Sequence, residues 1–121
     1  MTRRILVIED QEDNRRILRD LLNSAGYDSI EVDAGEEAPA LAQSQHPDLI
    51  LMDIQLPGID GYEATRRIKA NPALRRIPVI AVTSYALSGD EVKAREAGCD
   101  GYVTKPFSPR ALLAKIREYL P

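Results

Sequence analysis

Cysteine and histidine are almost absent from this chain of 121 residues. The single cysteine, Cys99, excludes a disulfide framework and a zinc site built from cysteines. The single histidine, His46, excludes a histidine-rich metal site and any catalytic arrangement that needs two histidines. Chemistry that depends on pairs of these residues is therefore ruled out.

The chain also lacks an excess of positive charge and a long apolar segment. Its 16 lysines and arginines stand against 19 aspartates and glutamates, which argues against nucleic-acid backbones as the main partner. No apolar run approaches the roughly 18–20 residues that a bilayer-spanning helix needs, and the N-terminal MTRRILVIED becomes acidic before a signal peptide could form. With 44% hydrophobic and 29% charged residues, we expect one cytoplasmic domain over residues 1–121, without direct binding to nucleic acid or membrane.

Short apolar segments alternate with helical patterns along the whole chain. Four segments are apolar on both faces, as central strands of a covered parallel sheet are, namely 5–8, 48–53, 77–83 and 101–104. Ser29–Val32 alternates apolar and polar residues, which is typical of an edge strand. This alternation predicts a doubly wound (βα)5 fold of the α/β class, a three-layer sandwich around a parallel five-stranded sheet.

Five helices are predicted from apolar residues that recur every three or four positions. They cover 13–25, a stretch around 40–42, 62–70, a stretch that begins at Ser88, and one that begins at Pro109. Pro39 falls in the first turns of the second helix, where its ring can clash with the preceding turn. We therefore expect that helix to start late or to bend.

Polar residues follow the apolar segments at the ends of four predicted strands. They are Glu9 and Asp10, Asp53, Thr83 and Ser84, and Lys105. Ligands of open parallel sheets bind beyond the carboxyl ends of the strands, so these residues predict one shared site. Two carboxylates about 4 Å apart repel by about 4 kcal/mol at an effective dielectric of 20, so the cluster needs a shifted pKa or a cation. Mg²⁺, a nucleophilic carboxylate, a hydroxyl and a lysine together make a phosphoryl-transfer site.

The sequence resembles the receiver domains of two-component response regulators, the CheY-like family. Four segments carry the resemblance in order along the chain: VIEDQEDN, LILMDIQLPGIDGYE, PVIAVTSYA and GYVTKPF. The resemblance covers the whole chain and implies the strand order 2-1-3-4-5, which is known for this family. It also implies a cis peptide bond between Lys105 and Pro106.

The resemblance implies a role for each acidic residue at the predicted site. Asp53 would accept a phosphoryl group from a histidine kinase or a histidine phosphotransfer protein and hold it as an acyl phosphate. Asp10 and Asp53 would bind Mg²⁺ directly, Glu9 mostly through a water molecule, and Gln55 through its backbone carbonyl. Gln55 and Tyr85 would also influence how fast water removes the phosphoryl group.

The same resemblance implies a switch. Lys105 would pair with a phosphoryl oxygen, and Ser84 is small enough for another phosphoryl oxygen to lie beside it. Thr83 would turn inward to bond the phosphoryl group, and Tyr102 would follow from an exposed rotamer. These movements would reshape the surface of the fourth helix, the fifth strand and the fifth helix, through which a downstream protein is regulated.

Ile17 lies to one side of the inward stripe of the first helix, which Leu18, Leu21 and Ala25 already supply. Our hypothesis is that Ile17 is partly exposed and contacts a helix of the kinase or phosphotransfer protein. The alternative is that Ile17 belongs to the core. In either case the expected function is a phosphorylation switch, and not an enzyme beyond its own phosphorylation and dephosphorylation.

Several alternatives stay open at this point. A Mg²⁺-dependent phosphohydrolase could use Asp53, although the haloacid-dehalogenase type needs a second aspartate where Gln55 stands. An interaction module that has lost phosphorylation is a further alternative, although all the required residues are present. The chain could also be the receiver of a hybrid kinase or multidomain regulator; Met1, shortly before the first strand, favours a free-standing or N-terminal receiver. A homodimer through the fourth and fifth helices is neither required nor excluded.

Overall fold

The computed structural model describes residues 2–84 and 90–121. Five parallel strands form one sheet in the order β2-β1-β3-β4-β5. The strands are β1 (Arg4–Ile8), β2 (Asp28–Val32), β3 (Leu49–Asp53), β4 (Val79–Thr83) and β5 (Gly101–Thr104). The α/β fold and the strand order are both confirmed.

Five α-helices connect and follow the strands. They are α1 (Glu12–Ser24), α2 (Ala38–Gln45), α3 (Gly61–Ala70), α4 (Asp90–Ala97) and α5 (Pro109–Tyr119). The side chain of Ser108 accepts a hydrogen bond from the backbone of Ala111, and Pro109 occupies the first position of α5, as the sequence predicts. The predicted start of α4 at Ser88 lies outside the described residues.

The expected irregularity near Pro39 lies at the start of α2. A short 3₁₀ helix, Gly35–Glu37, precedes α2, so Pro39 falls at the second helical position. At that position the missing N–H has no partner within the helix in any case. The late start of α2 is thus confirmed.

The core consists of two apolar clusters on opposite faces of the sheet. Alternate residues of the central strands point to opposite faces, so β1 and β3 contribute to both clusters. One cluster packs against α2, α3 and α4, and the other packs against α1 and α5. Every residue of β3 and β4 is buried, which accounts for their continuous apolar sequences.

The two edge strands differ from the buried centre. The residues of β2 are mostly half-buried, in agreement with the prediction from its alternating sequence. All residues of β5 are also half-buried, because β5 has only β4 as a neighbour in the sheet. The apolar sequence of 101–104 indicated a central strand, and that interpretation was wrong.

Gly61 fits the start of α3 closely against the end of β3. A Cβ atom at this position would collide with the carbonyl oxygen of Asp53 and with the Cα of Ile54. The backbone N–H of Gly61 donates to the Ile54 carbonyl at 3.0 Å. The absence of a side chain at Gly61 therefore lets α3 begin directly beside the site described next.

Candidate active site at the carboxyl ends of the strands

The pairing of the strands brings the predicted site residues to one edge of the sheet. Glu9 directly follows β1, and Asp53 is the last residue of the neighbouring strand β3. Thr83 ends β4 and pairs with Thr104, the residue before Lys105. Glu9 and Lys105 each lie on a loop, one residue beyond the end of a strand.

A buried ion network joins Glu9, Asp53 and Lys105. Glu9 and Asp53 are only 1% and 5% exposed. The ammonium Nζ of Lys105 lies 2.8 Å from Oε1 of Glu9 and 3.4 Å from Oδ2 of Asp53. The other carboxylate oxygens accept backbone N–H groups, Glu9 from Gln11 and Asp53 from Gln55, both at 3.1 Å. Each carboxylate is thus held at both oxygens.

The two buried carboxylates differ in proton affinity. Burial raises the pKa of Asp53 to about 7, and the Glu9 carboxylate beside it acts in the same direction. Burial also works to raise the pKa of Glu9, but hydrogen bonds with Lys105, Asp53 and the Gln11 backbone outweigh burial and lower that pKa. Without a cation, a proton taken up by this pair as the pH falls through about 7 therefore binds to Asp53 rather than to Glu9.

Lys105 keeps its proton in these surroundings. Burial works to lower the pKa of its ammonium, but Glu9 and Asp53 outweigh burial and raise the pKa. The backbone N–H of Lys105 donates to the Thr83 carbonyl at 2.7 Å, and the bond between Lys105 and Pro106 is cis, as the resemblance implies. Lys105 thus brings a fixed positive charge to the site.

Three carboxylates at this edge are close enough to share a metal ion. Oxygen atoms of Glu9, Asp10 and Asp53 all lie within 4.8 Å of one another. Asp10 is partly exposed, whereas the other two carboxylates are buried. Oxygen ligands of this kind suit Mg²⁺, and the single ammonium of Lys105 leaves negative charge that a divalent cation would balance. The predicted ligands therefore fit a magnesium ion.

The side chain of Gln55 makes contacts that sequence reasoning did not predict. Its Nε2 donates to Oγ1 of the buried Thr83 at 2.5 Å, and its Oε1 accepts from the backbone N–H of Ser84 at 3.0 Å. The sequence singled out Gln55 only for its carbonyl and its distance from Asp53. The available signal for these contacts was the long amide side chain of Gln55, two residues after the end of β3.

Arg15 is the second residue whose contacts sequence reasoning missed. Its Nη1 donates to the backbone carbonyls of Glu9 and Asp10 at 2.9 and 3.2 Å, and its Nε lies 4.0 Å from Glu31 on β2. Arg15 therefore anchors the loop that carries two of the candidate metal ligands. Arg15 lies in the first turns of α1, close to this loop, which was the available signal. Adjacent arginines such as Arg15 and Arg16 more often lie on a solvated face of a helix.

Tyr102 is half-buried in this structure. The resemblance implies that its side chain starts from an exposed rotamer. Its ring packs against the cluster on the α2–α4 face of the sheet. Burial raises the pKa of its hydroxyl, and Asp90 and Glu91 at the start of α4 add to this effect. Tyr85 lies outside the described residues.

Ile17 is exposed, so the alternative that placed it in the core was wrong. Its exposed fraction is 55%. It lies at a mainly apolar cleft of about 440 Å³, together with Leu18, Phe107 and Pro106. The same cleft is lined by Lys105 of the ion network. An apolar surface on α1 therefore leads directly to the candidate site.

Comparisons with known proteins agree with this fold and site. The family model described as "Response regulator receiver domain" matches residues 5–117. The polar-differentiation response regulator DivK of Brucella ovis is 47% identical over 99% of this chain and 98% of its own length.

Solved structures of similar proteins cover nearly the whole chain. The receiver domain of the sensor histidine kinase PA1611 of Pseudomonas aeruginosa PAO1 is 38% identical, with a TM-score of 0.92 over 99% of this chain and 98% of that one. In that structure a magnesium ion is coordinated in the active-site cleft. The chemotaxis protein CheY4 of Vibrio cholerae, at 24% identity, shares the fold with a TM-score of 0.93 over 98% of this chain and 99% of that one.

The parallel sheet of this order is the fold of the CheY-like receiver domains. The chain belongs to the response regulator receiver domain family. As a two-component receiver it interacts with phosphodonors and with downstream targets. Among residues 2–84 and 90–121, no helix combines the length and the apolar character needed to cross a membrane.

Proposed function

We propose that this protein is a phosphorylation-dependent switch of a two-component phosphorelay, with Asp53 as the phosphoacceptor. The observation that carries the proposal is the buried network in which Asp53 faces the Lys105 ammonium at 3.4 Å and shares a metal-sized cluster with Glu9 and Asp10. The protein would be no enzyme beyond its own phosphorylation and dephosphorylation. Its cytoplasmic location and its lack of direct nucleic-acid binding are part of the same proposal, in line with the net charge of −3.

The chemical step uses the Asp53 carboxylate as a nucleophile. A carboxylate oxygen forms a bond to the phosphorus of a phosphohistidine, and the phosphorus–nitrogen bond breaks with its electron pair going to the imidazole. The Gln55 N–H holds Oδ1 of Asp53, and Lys105 offsets the negative charge on the phosphoryl oxygens.

A bound magnesium ion would supply positive charge that lets a dianionic phosphoryl group approach these carboxylates. The residues that would hold the ion are Asp10 and Asp53, Glu9 mostly through water, and the backbone carbonyl of Gln55. Arg15 keeps the Glu9 and Asp10 loop in place through its two hydrogen bonds to backbone carbonyls.

The switch itself would pass from Thr83 to Tyr102. Thr83 ends β4 and is buried, and Tyr102 lies on the neighbouring strand β5, opposite Ala81. Contact of the Thr83 hydroxyl with the phosphoryl group would favour the inward position of Tyr102. The surface formed by α4, β5 and α5 would then change for a downstream protein.

The phosphodonor would dock on α1 beside the site. Ile17 is exposed and lines the apolar cleft that Lys105 also lines. A helix of a histidine kinase or phosphotransfer protein that covers Ile17 would bring its phosphohistidine to Asp53. Ile17→Ala should slow transfer from the protein donor and leave labelling by acetyl phosphate unchanged.

The test of the proposed function is intact mass after incubation with acetyl phosphate and Mg²⁺. We expect one phosphoryl group to be added, and we expect chelation of Mg²⁺ or Asp53→Asn to abolish the addition. Asp100→Asn is the matched control, since Asp100 lies before β5 at the opposite edge of the sheet and should leave labelling intact. Absence of labelling by both acetyl phosphate and a phosphohistidine protein would contradict the proposal. Rapid hydrolysis of phosphate monoesters, which are neither acyl phosphates nor phosphohistidines, would instead favour a phosphohydrolase.

A further inference from the structure

We propose that the side-chain amide of Gln55 is a positioning group that holds the end of β4 in its resting arrangement and must release Ser84 when Asp53 carries a phosphoryl group. This inference rests on the proposed function, because it concerns the donors available to a phosphoryl group on Asp53. It gives the Gln55 side chain a regulatory role that is separate from its backbone carbonyl.

The geometry of Gln55 joins the phosphoacceptor to the end of β4. Its backbone N–H donates to Oδ1 of Asp53 at 3.1 Å. Its side-chain Nε2 donates to Oγ1 of Thr83 at 2.5 Å, and its Oε1 accepts the backbone N–H of Ser84 at 3.0 Å. One residue thus bonds the acceptor through its backbone and two consecutive residues of the switch through its side chain.

A phosphoryl group on Asp53 would compete with this amide. Its terminal oxygens need positive charge and hydrogen-bond donors, and the Ser84 N–H is a backbone donor beside the Thr83 hydroxyl at this edge. A backbone N–H carries a single hydrogen, so it serves two acceptors poorly. The Gln55 carbonyl oxygen already accepts that hydrogen. Binding of a phosphoryl oxygen at Ser84 therefore requires the amide to move.

Replacement of the Gln55 amide by a phosphoryl oxygen is favourable. The hydrogen bonds that the amide loses nevertheless reduce the net free energy of phosphoryl binding. Hydrogen bonds to a charged acceptor are roughly twice as strong as those between neutral groups. The dianionic phosphoryl group should therefore displace the neutral amide. Because the lost amide bonds count against phosphoryl binding, Gln55 sets how easily the resting state is left. Gln55→Ala should consequently bind a phosphoryl analogue more tightly than the wild-type protein does.

The test is a titration of the full chain with beryllofluoride in saturating Mg²⁺, followed by ¹⁹F NMR. We expect Gln55→Ala to raise the affinity about fivefold, which corresponds to the loss of about one neutral hydrogen bond from the resting state. Gln55→Met keeps the length of the side chain without the amide and should give an increase in the same direction. Gln55→Glu should lower the affinity, because a carboxylate holds the Ser84 N–H more firmly.

Two controls separate this role from a structural one. Gln43→Ala removes an amide of the same type on α2, whose partner is Asn71, and should leave the affinity unchanged. The affinity of Gln43→Ala for Mg²⁺ alone should also equal that of the wild-type protein. A general loosening of the fold would instead weaken both affinities.

The outcomes distinguish this inference from the function on which it rests. If the wild-type protein binds beryllofluoride and Gln55→Ala and Gln55→Met bind it equally or less well, the positioning role is overturned and the switch stands. If the wild-type protein neither binds beryllofluoride nor accepts a phosphoryl group, both proposals fall. Tighter binding in both variants supports the role of the amide.

Discussion

Two lysine–carboxylate groups lie at opposite edges of the same sheet, and they differ in charge balance. At the amino-terminal edge, Lys69 Nζ donates to Asp100 at 2.9 Å and to the carbonyls of Arg75 and Ile77 at 3.0 and 2.8 Å. Asp100 also accepts the backbone N–H of Val79 at 2.8 Å. Three ammonium hydrogens thus meet three acceptors, of which only one is charged.

At the carboxyl edge one ammonium faces several negative charges. Lys105 contacts both Glu9 and Asp53, and Asp10 lies in the same cluster. The Lys69 pair is therefore satisfied and joins neighbouring segments, whereas the Lys105 group keeps excess negative charge that a cation can balance. Both groups combine a lysine with carboxylates, but their roles differ. Charge is balanced around Lys69, whereas negative charge is in excess around Lys105.

The largest difference should appear when each lysine is replaced by methionine. Lys105→Met should lower the rate of labelling by acetyl phosphate about 100-fold, because the charge beside the phosphoryl oxygens is lost. Lys69→Met should leave labelling within about twofold and lower the free energy of unfolding by about 1 kcal/mol, because three partly exposed acceptors lose their donor. Mass spectrometry and urea unfolding measure the two effects. Equal labelling of Lys105→Met and Lys69→Met would contradict the difference in role between the two lysines.

A smaller effect is expected in the pH dependence of Mg²⁺ binding. The pKa of Asp53 is raised to about 7 in the cation-free protein, so below that pH a proton competes with the ion. Affinity should therefore rise up to about tenfold per pH unit below about pH 7 and level off above it. Calorimetry in buffers of different ionisation enthalpy should detect up to about one proton released. A flat profile from about pH 5 to pH 8 would show that Asp53 does not hold this proton.

The smallest effect concerns stability without divalent cations. Because its pKa is raised, Asp53 binds a proton in the folded state that the unfolded chain has lost, so stability falls as pH rises from about 4 to about 7. Asp53→Asn cannot ionise and should be more stable than the wild-type protein by about 1 kcal/mol at about pH 8. Asp100→Asn should instead be less stable, because Lys69 loses its charged partner. Urea unfolding with a chelator measures both; a destabilised Asp53→Asn would contradict the prediction.

The sequence allowed most of the fold and the composition of the site to be predicted, for an identifiable reason. Asp53, Thr83 and Lys105 lie at or just beyond the ends of apolar strand segments, so strand topology alone brings them together. The contacts of Gln55 and Arg15 were not predictable in this way, because they depend on the direction of long side chains in loops and first helical turns. The half-buried position of Tyr102 was not predictable either, because partial burial on an edge strand depends on the packing of neighbouring elements and not on local pattern.

The two-sided core has a consequence for how this protein can vary. Consecutive residues of β3 pack into different clusters, and the last residue of β3 is Asp53. Deleting one residue from β3 would exchange the two faces and move the carboxylate off the edge at the same time. The same spacing between Leu49 and Asp53 therefore sets both the packing of the core and the position of the Asp53 carboxylate.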